Sequence, residues 1–164
     1  MTARTGAPGV VFDCMLFLQA AANRKSPAAR ALNLLDTGEI RLFVSKQILK
    51  EVREVISRPE VRQCLPGITD DGVEAIFDRL RKRAVLVRQV PKVFSYPRDP
   101  KDEPYINLAV AAKAVYLVSR DNDLLDLMRW DTEDGREFQR RFRHLRIVDP
   151  VTFLQEIEQK KPAN

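Results

Sequence analysis

Four acidic residues lie where predicted secondary-structure elements meet. Asp13 ends the segment VVFD, Glu51 lies in SKQILKEV, Asp102 opens DEPYINLA, and Asp121 follows VYLVSRD. In an open α/β sheet the ligand crevice forms beyond the carboxyl ends of the strands, which is where Asp13 and Asp121 would project. Carboxylates that converge there repel one another unless a hard cation joins them. The four acids are therefore candidate ligands for a divalent cation such as Mg²⁺ or Mn²⁺.

The elements that would position these acids alternate between strand and helix. Short apolar segments predict strands over residues 10–12, 41–44, 85–88, 115–119 and 145–148. Periodic segments predict helices over residues 16–22, 27–37, 46–57, 69–83, 104–113 and 123–128, and a last helix that begins at Asp149 and Pro150. Such alternation is typical of an α/β fold, here a three-layer α/β/α sandwich around a mostly parallel sheet. The length of 164 residues predicts a single domain.

Each acid also has an alternative role in stabilising the fold. On the helix of residues 46–57, the 3.6-residue period places Glu51 at the border of the apolar stripe and Glu54 towards solvent. Glu51 could still be a rim residue paired with an arginine, and Asp102 could be the N-cap of the helix that follows it. Asp123 is better explained as a helix cap. Asp121 has no predicted helix of its own to cap, so it is a better candidate metal ligand than Asp123.

Four segments taken together resemble the PIN-domain nucleases, in particular the toxins of toxin-antitoxin pairs. They are VVFDCMLFLQA, VSKQILKEVREVISRPEV, DPKDEPYINLAVAAKAVYLVSRDNDLL and IVDPVTFL, and the resemblance covers about residues 9–156. It implies one PIN-like domain over residues 9–156, with residues 1–8 and 157–164 as flexible termini. It also implies that Mg²⁺ or Mn²⁺ is held by catalytic residues Asp13, Glu51, Asp102 and Asp121, with Asp123 as a further ligand.

The sequence departs from the family pattern directly after the first aspartate. Relatives usually have a small hydroxyl residue and an asparagine there, whereas this chain has Cys14 and Met15. Methionine cannot make the polar contacts of asparagine. We interpret Met15 as a change in the residues that support the ligands, a role that Ser119 shares because it keeps the hydroxyl of the usual threonine. The alternative is a degenerate PIN module that binds RNA or a protein without cleavage.

A phosphatase of the haloacid-dehalogenase type is a second alternative, since those enzymes also begin with an aspartate after an apolar strand. They need another acid two residues later, and Met15 occupies that position. The sequence therefore favours a metal-dependent endoribonuclease that hydrolyses RNA phosphodiester bonds, in which the metal activates a water molecule.

The charge balance is consistent with a polyanionic substrate. The chain has 28 Lys and Arg residues against 23 Asp and Glu residues, which gives a net charge of +5 and a pI of about 9.4. Guanidinium groups suit phosphate recognition, so the candidate RNA contacts are Arg120, Arg140, Arg141 and Arg143. Phe138 and Phe142, four residues apart in the same segment, are expected to anchor a helix and not to stack on bases.

Other features exclude several classes of protein. Cys14 and Cys64 are far apart and lack ligand spacing, which argues against a disulfide framework or a zinc site. No segment approaches the roughly 20 apolar residues of a membrane span, so a cytoplasmic protein is expected. The family resemblance further implies an antitoxin partner and a homodimer.

Overall fold

The computed structural model describes residues 6–161. Its strands are β1 (Gly9–Phe12), β2 (Arg41–Val44), β3 (Val85–Leu86), β4 (Tyr116–Val118) and β5 (Arg146–Val148). Its helices are α1 (Cys14–Ala22), α2 (Pro27–Asp36), α3 (Lys46–Ile56), α4 (Pro59–Cys64), α5 (Asp70–Arg83), α6 (Glu103–Ala111), α7 (Asn122–Leu125), α8 (Glu133–Arg141) and α9 (Pro150–Gln159). Two 3₁₀ turns, Pro100–Asp102 and Asp126–Met128, precede α6 and follow α7.

The five strands form one sheet in the order β3-β2-β1-β4-β5, and every pairing among them is parallel. The two central strands, β1 and β4, pair Val10 with Tyr116 and Phe12 with Val118. From β1 the chain forms β2 and then β3 on one side of this strand. It then crosses over and forms β4 and β5 on the other side of β1. This reversal leaves a crevice beyond the carboxyl ends of β1 and β4.

Helices cover both faces of the sheet. Right-handed crossovers place the connections that lead to β2 and β3 on one face and those that lead to β4 and β5 on the other. Accordingly, α1 contacts α2 and α5, whereas α6 contacts β1, β2 and β4. Helix α9 returns to the first face and packs on α2. The three-layer α/β/α architecture expected from the sequence is therefore confirmed, with a sheet that is entirely parallel in the described residues.

Several element boundaries differ from the sequence prediction. Helix α3 ends at Ile56, close to the predicted end at residue 57, but the short helix α4 that follows was not predicted; Pro59 occupies its first turn, where its missing N–H costs nothing. The predicted strand of residues 85–88 shortens to Val85–Leu86, an exposed pair at the edge of the sheet.

The domain also extends slightly further than the sequence suggested. Helix α9 continues to Gln159 and buries Ile157, within a segment that the sequence assigned to a flexible terminus. At the other end, the carbonyl of Pro8 accepts a hydrogen bond from the backbone N–H of Arg41. The expectations for residues 1–5 and 162–164 lie outside the described residues.

The long loop before α6 is held by polar side chains of that helix. The Asn107 carbonyl oxygen accepts hydrogen bonds from the backbone N–H groups of Val93 and Phe94, at 3.0 and 2.9 Å. Glu103 accepts another from the N–H of Tyr96 at 2.8 Å. Asn107 and Glu103 are both buried, so these bonds form in a low-dielectric environment and fix the path of the loop.

Helix α8 is anchored by aromatic packing, as the sequence predicted for its phenylalanines. The ring of Phe138 is fully buried and lies 5.4 Å from that of Phe94 and 5.2 Å from that of Phe142, measured between centroids. Tilted and edge-to-face contacts of this kind are favourable beyond the area that they bury. Within residues 6–161, no helix combines the length and apolar character required to cross a bilayer.

Two glycines offer a test of how closely α8 approaches the preceding turn. Gly72 and Gly135 both donate a 3.0 Å hydrogen bond to the threonine that caps their helix, Thr69 or Thr132. A Cβ atom at Gly135 would lie 1.9 Å from the carbonyl oxygen of Arg129, whereas the nearest atom at Gly72 would be 3.1 Å away. We expect Gly135→Ala to lower the free energy of unfolding by about 1–3 kcal/mol.

Gly72→Ala is the matched control for this measurement by urea denaturation. Its effect should stay within ~1 kcal/mol, because alanine has the higher helix propensity and its neighbour is a movable hydroxyl. Equal effects of the two substitutions would contradict the close approach of α8 to the Arg129 carbonyl.

Candidate functional site

The crevice begins where β1 and β4 end side by side. Asp13 is 5% exposed, and its Oδ1 caps α1 by accepting a hydrogen bond from the N–H of Leu16 at 3.2 Å. The fully buried Ser119 donates its hydroxyl to Oδ2 of Asp13. The same Ser119 oxygen accepts a hydrogen bond from the N–H of Asp121 at 2.9 Å. Ser119 thus hydrogen-bonds both to the side chain of Asp13, which follows β1, and to the backbone of Asp121, which follows β4.

Asp121, and not Asp123, is the cap of α7. The helix begins at Asn122, so the residue before it can accept the free N–H groups of the first turn, and Oδ1 of Asp121 accepts that of Asp123 at 2.8 Å. The sequence had assigned capping to Asp123. The carboxylate of Asp123 instead lies 2.8 Å from Nε of Arg98, whose Nη2 is 2.8 Å from Asp126.

Asp102 does not use its carboxylate to cap a helix. It lies at the junction between the 3₁₀ turn and α6 and makes no capping hydrogen bond with its side chain. It is 7% exposed, and its Oδ2 atom is buried without a hydrogen-bond partner. An unsatisfied buried carboxylate oxygen is costly, so the atom calls for an explanation other than stability.

The compact group of carboxylates found in the described residues includes Asp99, which was not among the predicted ligands. Oxygen atoms of Asp99, Asp121 and Asp123 all lie within 4.8 Å of one another. Asp13, Asp102 and Glu51 are outside this group. The sequence pattern predicts only a loop at Asp99, although the segment DPKD places this second acid three residues before Asp102. Asp99 is the N-cap of the 3₁₀ turn that ends at Asp102, and its side chain accepts a hydrogen bond from the N–H of Lys101 at 3.2 Å.

Glu51 approaches the crevice from α3, as its helical position predicted. Its Oε2 accepts a hydrogen bond from the hydroxyl of Tyr105 on α6, with 3.0 Å between the two oxygens. Glu54 is exposed and pairs with Arg58 at 3.1 Å. The acid at position 51 therefore faces α6, while the acid one turn later faces solvent.

Cys14 lies among Asp13, Glu51 and Tyr105. Burial, together with the charges of Glu51 and Asp13, raises the pKa of the Cys14 thiol to about 12. The thiol consequently stays protonated at neutral pH and is not a nucleophile. The neighbouring Met15 is 44% exposed and lies in the first turn of α1.

Two buried acids of the crevice, Asp13 and Asp102, have raised pKa values in the metal-free protein. Burial raises the pKa of Asp13 from 3.8 to about 6, against the lowering effect of its hydrogen bond from Ser119. Burial also raises the pKa of Asp102 to about 8, and the negative charges of Asp121, Asp99 and Asp13 contribute in the same direction. These couplings show that the four aspartates act on one another electrostatically. A bound cation would reverse the effect and favour the ionised forms.

The candidate RNA-binding arginines occupy different surroundings. Arg120 is exposed beside Asp121, and Arg143 is exposed after α8; neither makes a hydrogen bond or ion pair with the described residues. Arg140 lies over the ring of Trp130, at 5.8 Å from its centroid. Arg141 is committed to the fold, since its Nη2 donates to the carbonyl of Val93 at 2.8 Å.

A family model described as a PIN domain matches residues 9–123. The match spans well over half of the 164 residues and includes every crevice acid from Asp13 to Asp123. It ends before the segment that carries α8, β5 and α9. No curated protein matches the chain.

The perturbed acids predict an unusual pH dependence of stability without metal. Because the fold raises the pKa of Asp102 and Asp13, their neutral forms favour the folded state, and stability should fall as pH rises from about 4 to about 8. In EDTA we expect the melting temperature to drop by roughly 5 °C or more between pH 5 and pH 8, since one pKa unit corresponds to ~1.4 kcal/mol.

Asp102→Asn should remove much of this drop, because an amide has no charge to bury. Asp71→Asn, on the exposed side of α5, is the control and should keep the wild-type slope. A wild-type protein equally stable at both pH values in EDTA would contradict the proposed repulsion among the acids.

Proposed function

Because the chain belongs to the PIN-domain family, whose members are generally nucleases, we propose that it is a metal-dependent endoribonuclease that hydrolyses RNA phosphodiester bonds. The observation that carries this proposal is the Oδ2 atom of Asp102. Among the described residues it is the buried side-chain polar atom that has no hydrogen-bond partner. A cation coordinated by this oxygen would supply the missing interaction.

The donor set fits a hard divalent cation. All the nearby charged donors are carboxylate oxygens, and the buried Cys14 thiol stays protonated, which favours Mg²⁺ or Mn²⁺ over zinc. Asp102 and Asp121 would hold the ion together with Asp13, and Asp99 is an additional candidate ligand. Asp123 forms an ion pair with Arg98, and it could also bind the cation if this ion pair opened.

When bound, such an ion activates a water molecule and stabilises the negative charge that develops on the phosphate. The side chains of the protein prepare the site for this ion. Ser119 orients Asp13 through its hydroxyl and Asp121 through its N–H contact. Tyr105 orients Glu51, which we propose acts with Asp13, Asp102 and Asp121 as a catalytic residue. The α6 side chains that hold the preceding loop fix Asp99 and Asp102.

Positive charge near the crevice would bind the substrate backbone. Arg120 adjoins Asp121 in the chain, is exposed, and has no ion-pair partner among the described residues. A free guanidinium in that position suits a phosphate of the RNA chain next to the scissile bond. The net charge of +5 supports a polyanionic substrate in the same way.

The biological role is proposed from the resemblance of the sequence motifs to toxins of toxin-antitoxin pairs. In that role the protein would act in the cytoplasm as a homodimer and would be neutralised by an antitoxin protein. Induced expression should then slow the growth of a bacterial host, and Asp13→Asn should abolish the effect.

The nuclease proposal predicts a defined pattern of activity. Purified protein should cleave labelled RNA in Mg²⁺ or Mn²⁺ and should lose cleavage in EDTA. Asp13→Asn should reduce the rate more than ~100-fold, since even the outer partners of metal ligands typically contribute 10–100-fold. The variant should remain folded, because the amide keeps the shape of the side chain while removing charge.

Helix α3 provides the matched control for this experiment. Glu51→Gln changes the acid that faces Tyr105 and should impair cleavage, whereas Glu54→Gln changes the exposed acid and should leave it unaltered. Equal rates for the two variants would remove Glu51 from the proposed catalytic set. Cleavage that persists in EDTA would overturn the metal-dependent mechanism.

The second candidate function, a module that binds RNA or a protein without cutting, is favoured by Met15. This apolar side chain is half exposed in the first turn of α1, where relatives carry asparagine. We expect Met15→Asn to raise the cleavage rate, because the amide can hydrogen-bond to water or substrate at the crevice. Met15→Leu, which adds no polar group, is the control. If wild type and Met15→Asn were both inert and neither bound Mn²⁺, the binding module would replace the nuclease.

A further inference from the structure

The most exposed large aromatic side chain lies outside the segment matched by the family model. Trp130 is the only tryptophan in the sequence and is 57% exposed. It follows the 3₁₀ turn of residues 126–128 and precedes α8. A tryptophan placed largely in water leaves a wide apolar face available for contact with a ligand.

Guanidinium groups border this ring. The guanidinium carbon of Arg140 lies 5.8 Å from the ring centroid, and Nη1 of Arg136 donates to the carbonyl of Trp130 at 3.1 Å. Positions 136 and 140 are one turn apart on α8, and Arg143 follows just beyond the helix. Arg140 and Arg143 have no ion-pair partner among the described residues. Trp130 therefore contacts two arginines, Arg136 through its carbonyl and Arg140 at its ring.

The acidic residues around α8 differ in their surroundings. Glu133 and Asp134 are exposed in the first turn of the helix, and Glu137 lies 3.8 Å from Arg141. Asp131 is neutralised by Arg129, whose Nη2 is 2.7 Å from its carboxylate. Arg140, which lies over the indole ring, has no ion-pair partner among the described residues and so keeps its positive charge available there.

Hydrogen bonds and ion pairs connect the segment that carries Trp130 to the acidic crevice. Nε2 of Gln139 on α8 donates hydrogen bonds to the carbonyls of Leu127 and Arg129. These bonds attach α8 to the 3₁₀ turn of residues 126–128. In that turn Asp126 contacts Arg98, and Arg98 contacts Asp123 of the crevice. A continuous set of ion pairs and hydrogen bonds thus joins the aromatic surface to the proposed cleavage site.

We propose that Trp130 and Arg140 form a stacking platform for an unpaired base of single-stranded RNA, with Arg136 beside it. The inference rests on the proposed function and adds to it a base-binding surface outside the acidic crevice. Bases of a single strand can stack on an aromatic ring, whereas those of a duplex are already stacked on each other. The surrounding guanidinium groups match the phosphates that flank such a base. The platform selects single-stranded substrate and leaves hydrolysis to the crevice.

The sole tryptophan makes the platform directly observable by fluorescence. Titrations use the full chain in EDTA, so that no cleavage is required, with an oligouridylate of about ten nucleotides, a length within the range that single-strand binding domains cover. Saturable quenching of the tryptophan emission is expected with this oligomer. Inorganic polyphosphate and duplex RNA should give little quenching at equal phosphate concentration, because they offer charge without a free base.

Substitutions at two positions separate the contribution of stacking from that of charge. By fluorescence anisotropy of a labelled oligomer, Trp130→Ala should weaken binding roughly fivefold to a hundredfold, with an unchanged salt slope, and Trp130→Phe should recover part of the loss. Arg140→Gln should weaken binding and reduce the salt slope by about one. All three variants should keep the wild-type melting temperature, since both side chains are exposed.

Three outcomes would overturn the platform. They are equal quenching by polyphosphate and oligouridylate, unchanged RNA affinity in Trp130→Ala, and dissociation of a dimer by Trp130→Ala with unaltered RNA binding. The last would assign the surface to a protein interface. Failure of cleavage in metal would count against the nuclease and not against the platform, because the binding tests contain EDTA. In an active enzyme, Trp130→Ala should raise KM and leave kcat unchanged.

Discussion

Electrostatic repulsion among carboxylates at the carboxyl ends of β1 and β4 is the constraint around which the rest of the site is arranged. Asp13 and Asp102 are almost fully buried, and each acts on the other and on Asp121. Burial of several negative charges in a region of low dielectric is costly without compensation. The fold offsets the cost at Asp13 through the Ser119 hydroxyl and the N–H of Leu16. It leaves the Oδ2 atom of Asp102 without a partner.

The residues around the crevice keep the acids in place despite this repulsion. Helix α6 carries Glu103 and Asn107, which hydrogen-bond the loop that supplies Asp99, and Tyr105, which holds Glu51. The loop is thus oriented by the same helix that begins at the crevice. A site fixed in this way can bind a cation without a large rearrangement, which is the form of preorganisation that favours catalysis by electrostatic stabilisation.

The segment beyond the family match adds a second surface to this scaffold. The buried rings of Phe94 and Phe138 attach α8 to the loop before α6, so the helix is fixed to the same element that positions the acids. Its arginines then divide by environment. Arg141 bonds to the backbone of that loop, whereas Arg140 lies over Trp130 with its charge unpaired. Of the arginines in this basic segment, Arg141 therefore stabilises the fold, whereas Arg140 is available to contact a polyanion.

The sequence by itself determined the α/β class and most element positions, because apolar periodicity acts over a few neighbours. It also placed Glu51 and Glu54 on different faces of α3. Only the tertiary structure revealed Asp99, since its nearness to Asp121 depends on packing between a loop and a strand end far away in the chain. The same holds for Arg141, whose partner at Val93 is 48 residues distant. Local patterns specify which residues a helix or strand presents, whereas long-range packing decides which of them meet.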